Sequence, residues 1–239
     1  MIKFVNLVLY NDDNENYVRM YHILTEHYQK YPNVTTFFYK YNNNLTNEIE
    51  LNGNIINIKG EESYIPGILE KTLIAFEFIQ THVTDFDYIV RSNISSIIDF
   101  KLLSLELGKN EIEYYGGTRF GKIPFKRELE ISYVNTPYAS GTNIILSKKG
   151  LQLLIENKHL INNKVIDDVS IGALFKDLKI KHKEIIPNKF VFVPNFINNK
   201  QLFEKIMGNN YVLYRNNNGK RDIDVVQMNM ITNALKNKS

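Results

Sequence analysis

The sequence predicts an α/β fold: a mostly parallel central sheet flanked by helices on both faces. Three observations carry that expectation. Short β-branched runs alternate with segments of helical period through the first half of the chain. The first run, "IKFVNLVLY", is apolar nearly throughout, as a strand covered on both faces must be. Strand–helix–strand units of this kind wind right-handed and set their strands side by side.

The elements follow in order. After "IKFVNLVLY", the stretch "NDDNEN" is a turn with helix-capping residues. "YVRMYHILTEHYQKY" brings Met20, Ile23, Leu24 and His27 near one face of a helix, and Pro32 stops it. "VTTFFYKY" is a second strand, "NNNLTNEIELNG" a polar loop, and "NIINIKG" a short third strand or edge. "EESYIPGILEKTLIAFEFIQTHV" is the strongest helix signal. Ser63 can cap it, Pro66 fits its first turn, and Ile68, Leu69, Thr72, Leu73, Phe76 and Ile79 recur at helical spacing. "DYIVRSN" is the next strand, "IIDFKLLSLEL" a helix closed by Gly108, and "EIEYYGGTR" a strand running into a glycine turn.

The second half changes texture. "FGKIPFKRELEISYVNTPYASG" has no clean period, and a long irregular segment inside a compact domain is usually functional. "TNIILS" reads as a strand, "KKGLQLLIEN" as a helix, and "VIDDVSIGALFKDL" as acids that turn helical at Val169. "HKEIIPNKFVFVP" and "YVLYRN" look like strands, and "RDIDVVQMNMITNALKN" is a terminal helix.

The chain has 239 residues, 44% of them apolar, enough for one good core. No internal repeat and no long linker divides it, so a single domain over 1–239 is expected. The formal charge of +3 is mild and its lysines are dispersed, which argues against nucleic acid as a partner. There are no cysteines, so disulfides and thiolate metal sites are excluded and a reducing compartment fits. The first residues lack the apolar length and cleavage pattern of a signal peptide, and no run approaches the ~20 apolar residues of a membrane span. A soluble, cytoplasmic protein is expected. Asparagine runs at 42–44 and 216–218, with Lys far above Arg, also fit an A/T-rich genome such as a giant virus or certain protists.

In sheets of this kind, ligands bind beyond the carboxyl ends of the strands. Tyr10 and Asn11 follow the first strand and can touch a base or ribose, or simply make a capped turn. Ser140, Gly141 and Thr142 precede a strand, where glycine lets a backbone pass close to a ligand or makes a tight turn. Asp167 and Asp168 precede a helix, whose free N–H groups favour one acid. Two adjacent acids repel, so one can point into a site and serve as a general base. Arg215, Lys220 and Arg221 can neutralise a phosphate or form a solvated basic loop. The five histidines show no metal-ligand spacing. No P-loop, GxGxxG or GxSxG motif occurs, which argues against kinases, dinucleotide oxidoreductases and α/β-hydrolases.

Taken in order, several segments resemble the β-1,3-galactosyltransferase and Fringe type of glycosyltransferase, whose fold is GT-A, a Rossmann-like sheet. "ESYIPGILEKTLIAFEFI" is similar to that family's D-S-Y-x-N-L-T-x-K-T helix, with Ser63, Tyr64, Lys71 and Thr72 in place. "FDYIVRSN" stands where the family has a strand ending in an Asp-x-Asp metal motif. "YASGTNIILSKKGLQLL" resembles the acceptor-side Y-x-S-G-x-x-Y-x-L-S, and "VIDDVSIGALF" the acidic motif that contains the catalytic base. The resemblance implies a hexosyltransferase-like enzyme that moves a sugar from a nucleotide sugar, UDP-linked by expectation, to a glycan or protein acceptor with inversion. Residues 1–110 would bind the nucleotide sugar and 111–239 the acceptor. Asp168, with Asp167 next to test, would be catalytic. Tyr10, Asn11, Lys71, Arg91, Asn93, Ser95 and Arg215 would hold the nucleotide sugar, and Ser140, Gly141 and Thr142 the acceptor.

Two departures matter. The Asp-x-Asp position reads Asn93-Ile94-Ser95, and the strand at Leu213, which in the family often carries a metal-binding His, has none nearby. Mn²⁺ and Mg²⁺ prefer anionic oxygens, and Asn and Ser are poor replacements. No metal and no other cofactor is therefore expected. Lys71, Arg91, Arg215, Lys220 and Arg221 are candidates to stabilise the diphosphate in its place. The alternative is a catalytically inactive relative acting as a glycan- or protein-binding module. The acid pair favours the enzyme, and the lost metal ligands favour the binder. A nucleic-acid-binding module is a third reading, which a salt-dependent shift with DNA or RNA would revive. No motif sets an oligomeric state.

Overall fold

The structure is a computed structural model and describes residues 1–125, 127–184 and 189–238. The first half follows the predicted alternation. β1 (Phe4–Leu9) leads through α1 (Glu15–Tyr28) to β2 (Val34–Asn42), and Asn14 caps α1 by accepting the Asn16 N–H. β4 (Ile55–Lys59) is the expected short third strand, and it pairs as a hairpin with β3 (Ile49–Asn52), which lies in what reads as a polar loop. Gly53 and Asn54 form the hairpin's two-residue loop, with Gly53 at φ 59° in the first loop position, where glycine is favoured. α2 (Gly67–His82) begins after Pro66, and Ser63 Oγ accepts the Gly67 N–H at 3.1 Å. β5 (Tyr88–Asn93), the short β6 (Ser96–Ile98) and α3 (Phe100–Lys109) follow.

β7 (Tyr115–Gly117) opens the second half. The segment without a clean period holds β8 (Phe120–Lys122) and β9 (Pro137–Ala139), which pair as a hairpin. Its own small core, Ile123 and Leu129 against Val165, Val169 and Ala173, fixes it to the helix behind. β10 (Asn143–Ser147), α4 (Lys148–Glu156) and α5 (Asp167–Asp177) come next. α5 starts at Asp167, two residues earlier than the sequence suggests. Of the strand expected from His182 onward, β11 (Lys183–Glu184) and β12 (Phe190–Val193) are described, and residues 185–188 lie outside the described residues. α6 (Lys200–Gly208), capped by Asn199, has no counterpart in the sequence reading. β13 (Leu213–Asn216) and α7 (Arg221–Lys236) close the chain.

Among the described residues, the main sheet runs β11-β7-β10-β5-β1-β2-β4-β3. β1 pairs in parallel with both β2 and β5, and β2 with β4, while β10 runs antiparallel to its neighbours β5 and β7. The side-chain period of two divides β1 between two cores. Phe4, Val8 and Tyr10 face α1, α3 and α7, whereas Val5 and Leu7 face α2, α4 and α5. No described helix is long and apolar enough to cross a membrane.

Close approach fixes one glycine in this scaffold. A Cβ on Gly150, in the first turn of α4, would overlap the Tyr114 backbone carbonyl. That carbonyl, just before β7, already accepts the Ser147 N–H at 3.1 Å, which ties it in place. Gly150→Ala is therefore expected to destabilise by about 1–3 kcal/mol, the range for overpacking. Thermal denaturation should show a Tm lower by several degrees, and an unchanged Tm would refute the clash.

Candidate active site

The topology brings distant segments to one end of the sheet. The chain leaves β1 toward β2 and later returns to β5 on the other side, so a crevice opens beyond the carboxyl ends of β1 and β5. Because β10 is antiparallel, the residues before it lie at that same end, with Asn143 opposite Ser92. A second, three-stranded sheet, β12-β13-β6, sets Arg215 opposite Ser96. The N-terminus of α5 completes the rim. The result is a cleft of about 610 Å³.

Every residue expected to be catalytic, to hold the nucleotide sugar or to meet the acceptor lines this cleft. Tyr10 and Asn11 come from the β1 tip, Lys71 from α2, and Arg91, Asn93 and Ser95 from β5 and its exit. Ser140, Gly141 and Thr142 come from before β10, Asp167 and Asp168 from α5, and Arg215 from β13. Arg221 lines it as well, whereas Lys220 is exposed and is not among the lining residues. Glu62, Ser63 and Tyr64, from the motif ahead of α2, also line it, as does Tyr17, which no periodicity or motif marks as a site residue.

The charges divide into two groups. Arg91 is 1% exposed, and protein atoms hold each of its nitrogens. Nε donates to the Tyr39 hydroxyl at 3.1 Å, and Nη1 to Asn93 Oδ1 at 3.0 Å and to the Gly141 carbonyl. Nη2 lies 2.6 Å from Asp167 Oδ2. That oxygen has no well-aligned hydrogen bond, so charge rather than direction holds the pair. Burial works against the Arg91 charge, but Asp167 and then Tyr39 keep its pKa above the ordinary value. Three of the five N–H groups of Arg91 are thus bonded within the protein, and the Nη2 side lies against Asp167 rather than toward open solvent. Lys71 is likewise 2% exposed and is paired with Glu62. Burial pulls its pKa down, and the Glu62 bond resists.

The second group faces the open cleft. Arg215 is half-buried, and its Nη1 donates to Ser95 Oγ and, at 3.4 Å, to Ser96 Oγ. Its pKa is pulled down to about 10, by burial first and then by the like charge of Arg221. Arg221 pairs with Asp224 at 2.8 Å and lies 5.6 Å over the Tyr17 ring. Two guanidiniums in one half-buried place, one with only hydroxyl partners, suit a polyanion.

The acid pair is unequal. Asp167 is 3% exposed and is spent on Arg91. Asp168 faces the cleft, with Oδ2 accepting the Gly141 N–H at 2.8 Å and Oδ1 the Val169 N–H at 2.8 Å. Burial, then the Asp167 charge, pushes its pKa up to about 6, while the Gly141 N–H and Arg91 hold it back. At neutral pH it is ionised yet more basic than an ordinary aspartate.

The tip of β5 does not suit a divalent ion. Asn93 Oδ1 and Ser95 Oγ already accept from Arg91 and Arg215. An ion placed on them would sit between two guanidiniums with no carboxylate. Among the described residues no three His, Asp or Glu side chains gather as a metal site.

A family model described as galactosyltransferase matches residues 34–185. The chain belongs to the galactosyltransferase family. It is a hexosyltransferase-like glycosyltransferase with a GT-A fold, as the motif order implied. The match covers the β5 tip, the Ser140–Thr142 turn and the acid pair, and stops short of Arg215. Among solved structures, the chain is similar to a glycosyltransferase involved in glycosylation of the major capsid of PBCV-1. The two share 8% identity over 95% of this chain and 98% of that one, with a TM-score of 0.56. It is also similar to the galactosyltransferase LgtC in complex with donor and acceptor sugar analogs, at 14% identity over 97% and 95% of the chains and a TM-score of 0.47. A Drosophila galactosyltransferase 7 with manganese, UDP-Gal and xylobiose aligns at 9% identity over 77% and 65%, with a TM-score of 0.43. No curated protein matches this galactosyltransferase-family chain.

Proposed function

We propose that the protein is an inverting, metal-independent transferase that takes its sugar from a UDP-sugar. The observation that carries this reading is the Arg215–Ser95 contact. The C-terminal strand, where the family resemblance expects a metal-binding His, runs beside the segment that follows the β5 tip, and its Arg215 reaches across to Ser95. A fixed cation there can stabilise the charge that develops on a leaving diphosphate, the task a divalent ion performs elsewhere.

The reaction is a single displacement. An acceptor hydroxyl oxygen forms a bond to the anomeric carbon from one side, and the bond from that carbon to the diphosphate oxygen breaks on the other. The hydroxyl proton passes to the Asp168 carboxylate, and the electron pair leaves with UDP beside Arg215 and Arg221. Tyr10 and Asn11 are placed to contact the base or ribose. Ser140 and Thr142, whose hydroxyls lie 3.2 Å apart, are placed to contact a glycan or protein hydroxyl.

The test is thermal stabilisation by UDP, GDP and CMP, each with Mn²⁺ or with EDTA. UDP should raise the Tm equally in both, and UDP release from UDP-galactose should survive EDTA. Loss of either with EDTA would end the metal-independent reading, and no response to any nucleotide would favour a binding module.

A further inference from the structure

The mechanism leaves two large buried cations without a task, Lys71 and Arg91, and Arg91 is the one bonded toward the acid pair. Arg91 lies on the same face of β5 as Ile89, against α2 and α5, and is among the largest fully buried side chains of the protein. Its contacts converge on Gly141. Arg91 Nη1 holds the Gly141 carbonyl, and the N–H of the same residue donates to Asp168 Oδ2 at 2.8 Å. A Cβ on Gly141 would sit 2.7 Å from Arg91 Nη1 and 3.4 Å from Asp168 Oδ2. Arginine, glycine and aspartate thus form one continuous stack from the sheet to the cleft. The fourth contact, to Asp167, ties down the neighbouring acid and leaves Asp168 as the member of the pair that faces the cleft.

We propose that Arg91 is a positioning residue that acts through Gly141 to aim the Asp168 carboxylate into the cleft. The inference rests on the reading of Asp168 as the base. Its logic is geometric. A carboxylate that must take a proton at one instant needs a fixed orientation, and the side chain that holds the Gly141 carbonyl helps to fix the turn whose N–H the carboxylate accepts. Arg91 supplies it because a planar guanidinium fixes several acceptors at once, which a lysine ammonium does not. The groups that face Asp168 are Asp167 on its own helix, Arg91 from β5, the Gly141 N–H before β10, and Tyr64, Tyr115 and Tyr138 around the rim.

Arg91→Lys tests this while keeping a charge for Asp167. Three quantities are read: UDP affinity by calorimetry, turnover of UDP-galactose, and the titration of the Asp168 carboxyl carbon by NMR. UDP affinity and donor KM should stay within about twofold, while kcat falls about 10- to 100-fold as the base loses its alignment. The Asp168 midpoint should move up from near 6 by about half a unit as the Gly141 N–H bond loosens. UDP affinity falling in step with kcat would make Arg91 a phosphate contact and overturn the proposal. So would a wild-type titration with wild-type kcat. If Arg91→Lys does not fold, Gly141→Ala decides, since its Cβ must part Arg91 from the loop. The same pattern is expected there, and a silent Gly141→Ala overturns the proposal. The NMR titration needs no turnover, so a failure of positioning is distinguishable from a failure of Asp168 as base.

Discussion

Asp168→Asn is expected to lower sugar transfer about 10²- to 10⁴-fold, the usual worth of a positioned general base, and to leave UDP affinity within about twofold. The amide keeps the shape and its one oxygen can still accept the Gly141 N–H, at the expense of the Val169 N–H bond, so the cleft survives while the proton acceptor is lost. Wild-type activity carries the signature of the same group. Transfer needs the carboxylate, so kcat/KM should fall tenfold per pH unit below about 6. The variant should also be more stable at pH 8. The folded Asp168 pKa stands above its ordinary 3.8, so protonation is favoured by folding. Its favourable contribution is full below about pH 4 and is lost as pH rises through about 6, which leaves an ionised, partly desolvated acid that Asn does not have. The gain at pH 8 should be on the order of 2 kcal/mol and should shrink at pH 4.5. Denaturant titrations at the two pH values measure it. Full transfer by Asp168→Asn would remove Asp168 as the base. Asp167 would then be the next variant to make, although Arg91 already holds it.

How much of this is legible in the sequence follows from range. Local chemistry reads well. The turn after β1 caps α1 through Asn14, and the apolar runs of β1, β5 and β10 are strands. The strand-tip rule needs only strand order, and it was enough to bring Tyr10, Asn93, Gly141 and Asp168 to one end. Short elements escape. β6 has three residues, too few to show a period, yet it anchors the small sheet that carries Arg215. What the sequence hides most is pairing. Arg91 meets Asp167 across 76 positions of chain, and Arg215 meets Ser95 across 120. Charge type suggested that each arginine might serve a phosphate. Only the fold separates the buried Arg91 from the cleft-facing Arg215.

Arg215→Ala is expected to weaken UDP binding by about 1.5–3 kcal/mol, the worth of a charge-assisted hydrogen bond, and to cost about a further 10²- to 10³-fold in kcat. The second loss arises because charge on the leaving diphosphate grows in the transition state, where a fixed guanidinium helps most. Arg215→Lys should recover part of the affinity and less of the rate, since an ammonium is a point charge without the planar fork. Mn²⁺ should not rescue Arg215→Ala, because Asn93 and Ser95 remain neutral. Ser95→Asp alone should behave like a loss of Arg215, because the new carboxylate lies within reach of its guanidinium and neutralises it. Metal dependence should appear only when the site is rebuilt as a whole, with Asn93→Asp and Ser95→Asp beside Arg215→His. The rebuilt enzyme should lose UDP binding on adding EDTA, and the wild type should not. An Arg215→Ala protein that binds UDP at wild-type strength would show that the diphosphate lies elsewhere, and the exchange of a metal for a guanidinium would have no support.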